Sequence, residues 1–321
     1  MSEGVNCGID SAVEGGDSVA EELDKFSTVD DAIRWAARQL EQSGVFFGHG
    51  TDNALDEAAC LVSHALHLSY DDLEGALQRR LDETARQTVH EMVSRRIRER
   101  IPAAYITRTA WFCGLEFHVD ERVLVPRSPI AELIAGGFSP WIRPGQAVHR
   151  ILDMGTGSGC IAIACAHAFP QAEVDAADIS PDALAVARIN VERHGLGRRV
   201  HPLESDLFAG LPRRSYDIIV SNPPYVPQEE MAVLPDEYRH EPVTGLVAEE
   251  EGLEFAIEIM ARAADYLSED GILIVEVGNS QAALERRFPN VPFMWLEFAH
   301  GGSGVFLLTH GQLLELGANK P

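Results

Sequence analysis

The chain has 321 residues, room for about two domains of roughly 150 residues each, so it can bury at least one sizeable core. Apolar residues make up 45% and charged residues 24%, the balance of a globular protein and not of a fibrous or wholly disordered one. With 26 Lys and Arg against 50 Asp and Glu the formal charge is −24, which disfavours duplex nucleic acid as a partner and favours a basic protein, unless the acidity serves only solubility.

Five cysteines (Cys7, Cys60, Cys113, Cys160, Cys165) form no CxxC pair and no Cys/His cluster with metal-ligand spacing, so neither a disulfide scaffold nor a bound metal is expected. The segment up to Asp24 carries seven acids and no Lys or Arg, the opposite of a signal or transit peptide. The longest apolar stretches, such as Ile161 to Phe169, fall far short of the ~20 residues that cross a bilayer. A cytoplasmic, reduced protein is the expectation.

In chain order, residues 1–27 read as a disordered acidic tail, because Gly, Ser and acids bury too little apolar surface to offset ordering. Residues 28–104 read as a small helical domain: Ser27 and Thr28 are helix-start residues, and apolar side chains recur at helical spacing at Ile33, Ala36, Ala37 and Leu40. Ala58, Leu61, Val62 and Ala65, then Val89, Met92, Val93 and Ile97, repeat the pattern, and Pro102 ends it. Basic residues cluster at Arg95, Arg96, Arg98 and Arg100, as on one solvated helix face. Residues 105–125 form a β-hairpin linker around Gly114 and Asp120. Across 126–310, strands are expected at Arg150–Met154, Glu173–Asp178, Arg199–Glu204, Tyr216–Ser221, Ile272–Val277 and Val305–Leu308. Helices fit between them, at Asp182–His194 and Leu253–Leu267 for example, and residues 311–321 are left as a tail. This α/β alternation predicts a Rossmann-like, mostly parallel sheet with helices on both faces and a ligand at the carboxyl ends of its strands.

Motifs fall at those ends. Asp153, Gly155, Thr156, Gly157, Ser158 and Gly159 lie between a strand and a helix, where glycines allow a sharp turn and the close approach of a ligand. The spacing G-x-G-x-G departs from the dinucleotide fingerprint, and no G-K-[ST] follows for a P-loop. Asp178, nineteen residues after Gly159, is placed either to accept both ribose hydroxyls of an adenosine or to serve as the acid before the Ser180-Pro181 helix start. Asp206 either accepts from an adenine amino group, with Leu207 against the ring, or is a turn aspartate.

Asn222, Pro223, Pro224 and Tyr225 directly follow a buried strand, a costly way to build an ordinary turn. The group suits one task. A planar NH₂ is a poor nucleophile because its lone pair is delocalised, and two acceptors, the Asn222 side-chain oxygen and the Pro223 carbonyl, can each take one N–H. Proline's fixed φ aims that carbonyl, and Tyr225 can stack on the flat group. An electrophile that carries an adenosine and sits beside the glycine loop is S-adenosylmethionine, so the chemistry implied is in-line methyl transfer to nitrogen, catalysed through Asn222, Pro223 and Tyr225.

The order GTGSG, Asp178, SDLF, NPPY resembles class I S-adenosylmethionine-dependent methyltransferases. With RRIRERIPAAYIT, LPDEYRHEP and EVGNS added, residues 28–315 resemble the protein-(glutamine-N5) methyltransferases, most of all those acting on large-subunit ribosomal protein L-three, a basic protein. The resemblance implies a seven-stranded fold, cofactor contacts from Gly155 to Gly159, Asp178, Leu207 and Asn222, and substrate glutamine held by Asn222 to Tyr225. The release-factor branch carries PRPDTE where this chain has Pro126-Arg127-Ser128-Pro129, and differs again at Glu276-Val277-Gly278-Asn279. A release-factor enzyme is therefore the alternative, with adenine-N6 methylation of nucleic acid behind it. By position, Phe112, Arg127 and His240 are candidate substrate contacts and the helical domain a recognition element.

Overall fold

The computed structural model describes residues 23–318, in two compact units divided between Thr107 and Arg108. Most of the expected acidic tail, residues 1–22, lies outside the described residues. Its last part is not a tail: Phe26 is 1% exposed within the helical core, its ring tilted against Trp35 at a centroid distance of 4.8 Å, so one aromatic side chain is enough to draw the chain before the helix start inward.

In the first unit Thr28 caps helix Val29–Ser43 by a reciprocal pair, Asp31 N–H donating to Thr28 Oγ1 at 3.2 Å and Thr28 N–H to Asp31 Oδ2 at 3.1 Å. Gly44, in the left-handed region, ends the helix. Asn53 caps Ala54–Ala65 and Asp82 caps Glu83–Glu99. Their apolar faces bury Ile33, Ala36, Leu40, Ala58, Leu61, Val62, Val89 and Val93 together. One expectation fails here. Arg96 is not on a solvated face: it is 0% exposed, its Nε donates to buried Glu57 at 2.8 Å and its Nη2 to the Phe46 carbonyl at 2.8 Å. Arg95 and Arg98, by contrast, pair with Glu99 at the surface.

The second unit opens with β1 (Thr109–Phe112) and β2 (Leu115–His118), an antiparallel pair turned by Cys113 and Gly114 at φ 51° and 72°. Seven further strands and two short ones follow: β3 (Arg150–Met154), β4 (Glu173–Asp178), β5 (Val200–Glu204), β6 (Tyr216–Ser221), β7 (Val226–Pro227), β8 (Val247–Ala248), β9 (Leu267–Glu276), β10 (Met294–Trp295) and β11 (Val305–Thr309). The main sheet runs β10-β11-β9-β6-β3-β4-β5, antiparallel at β10-β11 and β11-β9 and parallel elsewhere, as the alternation predicts. Central strands are apolar on both faces because helices cover both. After β5 the chain returns to the other side of β3, so the order reverses between β3 and β6, with Met154 opposite Ser221. Loops leaving those two strands at that level diverge and leave a crevice.

Two segments differ from expectation. The Leu253–Leu267 helix is observed as Glu254–Arg262 followed by a 3₁₀ turn, and β9 begins at Leu267. Beyond Thr309 the chain is not a tail but helix His310–Ala318, whose Leu313 is 2% exposed in the sheet's core. Among the described residues no helix is long and apolar enough to cross a membrane.

Candidate active site

The glycine loop leaves β3 with Gly155 and Thr156 N–H both donating to the Ala177 carbonyl at 2.9 Å. Gly155, Gly157 and Gly159 have φ of 73°, 54° and 80°, a run of left-handed positions that side chains would strain. Asp153 lies beneath the loop, fully buried, accepting from Thr156 Oγ1 at 2.5 Å and Ala162 N–H at 3.0 Å through Oδ2. Its Oδ1 has no partner among the described residues, and burial pushes its carboxyl up to about 7. Asp153 does not line the cavity described below, contrary to its expected place as a ligand contact; it shapes the loop instead. Gly159 is not among the lining residues either; a Cβ there would meet Ala187 Cβ at 3.3 Å, so this glycine lets helix Cys160–Ala168 approach helix Pro181–Arg193. From the same second helix, buried Asn190 donates to the Ser158 carbonyl at 2.8 Å and to that of His118 at 2.9 Å, and accepts from His118 N–H at 2.7 Å.

Asp178 ends β4 with both oxygens engaged, Oδ2 by Gly157 N–H at 2.8 Å and Oδ1 by Ser180 N–H at 2.9 Å. Burial raises its pKa against those bonds. A carboxylate has about four acceptor positions, so two remain for hydroxyl donors. The two roles foreseen for Asp178 are therefore compatible. Ile179 beside it is 61% exposed and faces the same cavity, an apolar platform that sequence reading missed although it follows the acid directly. Asp206 and Leu207 complete this wall; Leu207 takes φ 45°, its carbonyl accepting from Ser205 Oγ at 2.5 Å.

Across the crevice Asn222–Tyr225 leave β6, anchored by Ser221 Oγ donating to the Met154 carbonyl at 2.7 Å. A Cβ on Gly155 would lie 3.9 Å from the Asn222 carbonyl oxygen and 4.0 Å from Pro223 Cα, so the two loops face each other with room for little more than a methyl group between them there. The Asn222 carboxamide has no hydrogen-bond partner among the described residues. Tyr225 is held firmly. Its hydroxyl donates to Glu276 Oε1 at 3.1 Å, and a Cβ on Gly278 would sit 2.5, 2.9 and 3.0 Å from Cε2, Cζ and Cδ2, over the face of the ring. Glu276 and Arg127 were not assigned to this loop by spacing. Ser128 Oγ donates to Glu276 Oε2 at 2.5 Å, and Arg127 makes a bidentate pair with buried Glu241 at 2.6 and 2.7 Å.

These walls enclose a cavity of about 740 Å³, within the range of small-molecule sites. Gly155, Thr156, Gly157, Ser158, Asp178, Asp206, Leu207, Asn222, Pro223, Pro224 and Tyr225 all line it. Arg127 lines it as well, whereas Phe112 and His240 do not. An acid at one wall, a left-handed glycine turn and the exposed Ile179 face fit an adenosine. The carboxamide and proline carbonyl opposite fit an NH₂ group.

The Methyltransferase small domain family matches residues 143–235, and the PrmC N-terminal domain family matches residues 31–107. The ribosomal protein uL3 glutamine methyltransferases of Neisseria meningitidis serogroups A and B are each 48% identical over 90% of this chain and 95% of their own length. A crystallised methyltransferase from Pyrococcus furiosus is 20% identical, covering 61% of this chain and 89% of its own, with a TM-score of 0.45. By that extent of shared sequence, and with both domains present, the chain is a class I methyltransferase and belongs to the protein glutamine methyltransferase family.

Proposed function

We propose that the chain transfers a methyl group from S-adenosylmethionine to the side-chain nitrogen of a glutamine in ribosomal protein uL3, acting in the cytoplasm. The observation that carries this reading is that the glycine loop and Asn222–Tyr225 face each other within one cavity, so close that a methyl group on Gly155 would reach Asn222 and Pro223. S-adenosylmethionine, when bound, supplies an electrophilic methyl group on a sulfonium. Asp178 offers its remaining lone pairs to ribose hydroxyls, Ile179 and Leu207 an apolar bed, and Asp206 an acceptor at the rim. Asn222 Oδ1 and the Pro223 carbonyl each accept one N–H of the substrate carboxamide, fixing the nitrogen's orientation and shifting electron density onto it. Gly278 lies against one face of the Tyr225 ring, and the other face stacks on the flat carboxamide. The kinship with the two Neisseria enzymes and the −24 charge, complementary to a basic protein, support the choice of substrate.

The test is incubation of the purified full chain with labelled S-adenosylmethionine and, separately, unmethylated uL3 and unmethylated release factors, followed by peptide mass spectrometry. One methyl increment on a glutamine of uL3 is expected. Label confined to release factors would overturn the substrate assignment, and label on neither would overturn the reaction.

A further inference from the structure

Glu276 is 5% exposed at the end of β9, yet it is charged by type and borders the cavity. A carboxylate withdrawn from water must be compensated by donors. Both of its oxygens are: Tyr225 Oη–H reaches Oε1 at 3.1 Å and Ser128 Oγ–H reaches Oε2 at 2.5 Å. Ser128 Oγ in turn accepts from Ile130 N–H at 3.2 Å. One side chain thus ties the segment after Asn222 to the Arg127–Ile130 turn, two walls of the cavity distant in sequence. Among the described residues no other group bonds the Tyr225 hydroxyl, while the Tyr225 carbonyl lies 3.3 Å from Ser280 Oγ, whose proton it shares with the nearer Glu251 carbonyl at 2.9 Å.

We propose that Glu276 is a positioning residue for methyl transfer: by receiving the Tyr225 hydroxyl it sets the plane of that ring, and through Ser128 it sets the facing wall. The inference rests on the reading of Asn222–Tyr225 as the amide-binding loop and adds a residue that does not itself touch substrate. It predicts that Glu276 and Tyr225 act as one unit. Glutamine at 276 keeps an acceptor for Tyr225, and its amide donates to Ser128 Oγ, so it preserves both ties.

The full chain and its Glu276→Ala, Glu276→Gln, Tyr225→Phe and Tyr225→Phe/Glu276→Ala variants are assayed with purified unmethylated uL3. Tyr225 is also nitrated with tetranitromethane and followed by peptide mass spectrometry. Glu276→Ala is expected to lower kcat about 10²-fold with KM for S-adenosylmethionine within about threefold, as an ångström-scale misplacement does. Glu276→Gln returns kcat to within about fivefold of wild type, and the double variant is no worse than Glu276→Ala alone, the mark of residues acting together. Tyr225 nitrates at least about tenfold faster in Glu276→Ala, its phenol being released from the buried bond. Additive losses, wild-type kcat in Glu276→Ala, or equal nitration rates would overturn the proposal. Should Glu276→Ala fail to fold, Tyr225→Phe decides: wild-type kcat there overturns it. If the wild-type protein methylates no uL3, the functional reading fails, and nitration of Glu276→Ala and Glu276→Gln still judges the role of Glu276.

Discussion

Gly278→Ala probes how tightly the substrate end of the cavity is built. A Cβ at 278 would stand 2.5 Å from Tyr225 Cε2, 2.9 Å from Cζ and 3.0 Å from Cδ2. Carbon atoms settle about 3.5–4.0 Å apart, so the ring must retreat by about 1 Å. It cannot do so freely, because its hydroxyl is bonded to Glu276 and its backbone carbonyl is crowded by Gly252, where a Cβ would come within 3.0 Å of the Tyr225 carbonyl carbon. Alanine at φ 45° adds about 1–2 kcal/mol of backbone strain, and breaking the Tyr225–Glu276 bond adds about 1–3 kcal/mol. The variant should therefore be about 2–5 kcal/mol less stable by urea denaturation, and at a temperature where it is folded its turnover should fall about 10²-fold. Cofactor affinity by calorimetry should stay near wild type, since Gly278 lies on the far side of the crevice from Asp178. An unchanged urea midpoint together with wild-type turnover would refute the claim that the ring is confined.

Asn222→Ala should leave cofactor affinity within about tenfold while lowering turnover ~10²–10³-fold, the scale of losing a preorganised polar contact; single-turnover methylation measures it. Asp178→Ala should weaken cofactor binding by at least about tenfold in calorimetry, since it removes the ribose acceptor and also frees the Gly157 N–H. Asp153 binds a proton more tightly folded than unfolded, so wild-type stability falls as pH rises from its unfolded value toward about 7 and is level above that. Asp153→Asn abolishes this contribution, and urea titrations without cofactor at pH 4 to 8 should separate the two curves by up to about 4 kcal/mol. Glu57→Ala strands the buried Arg96 charge and should destabilise the helical unit by about 3–5 kcal/mol, seen as a lowered denaturation midpoint relative to wild type.

The strands around the crevice were legible because each is a short apolar run bounded by turn residues, and β3, β4 and β6 fall on their expected residues. The two loops were legible because glycines at left-handed positions and a polar-proline-aromatic sequence after a buried strand are local signals. What escaped is long-range. Arg96 sits in a run of arginines, and nothing nearby tells that Glu57, thirty-nine positions earlier, will draw it inward. Ser128 and Glu276 are 148 positions apart, and only the sheet order brings them together. For Glu276 the one local hint was an acid closing an otherwise apolar strand. That Asp153 braces the loop through Thr156, and that Gly159 gives helix Pro181–Arg193 room to approach, is likewise not written in the motif itself.

Asn190 has a mechanical consequence. Its three bonds clamp the end of β2 and the peptide of Ser158 onto one helix, so the hairpin acts as a lever on the glycine turn. Anything that shifts the hairpin pulls, through this one side chain, on the peptide between two of the glycines. A carboxylate at position 190, as deamidation produces, would face two carbonyl oxygens, and the lever would disengage.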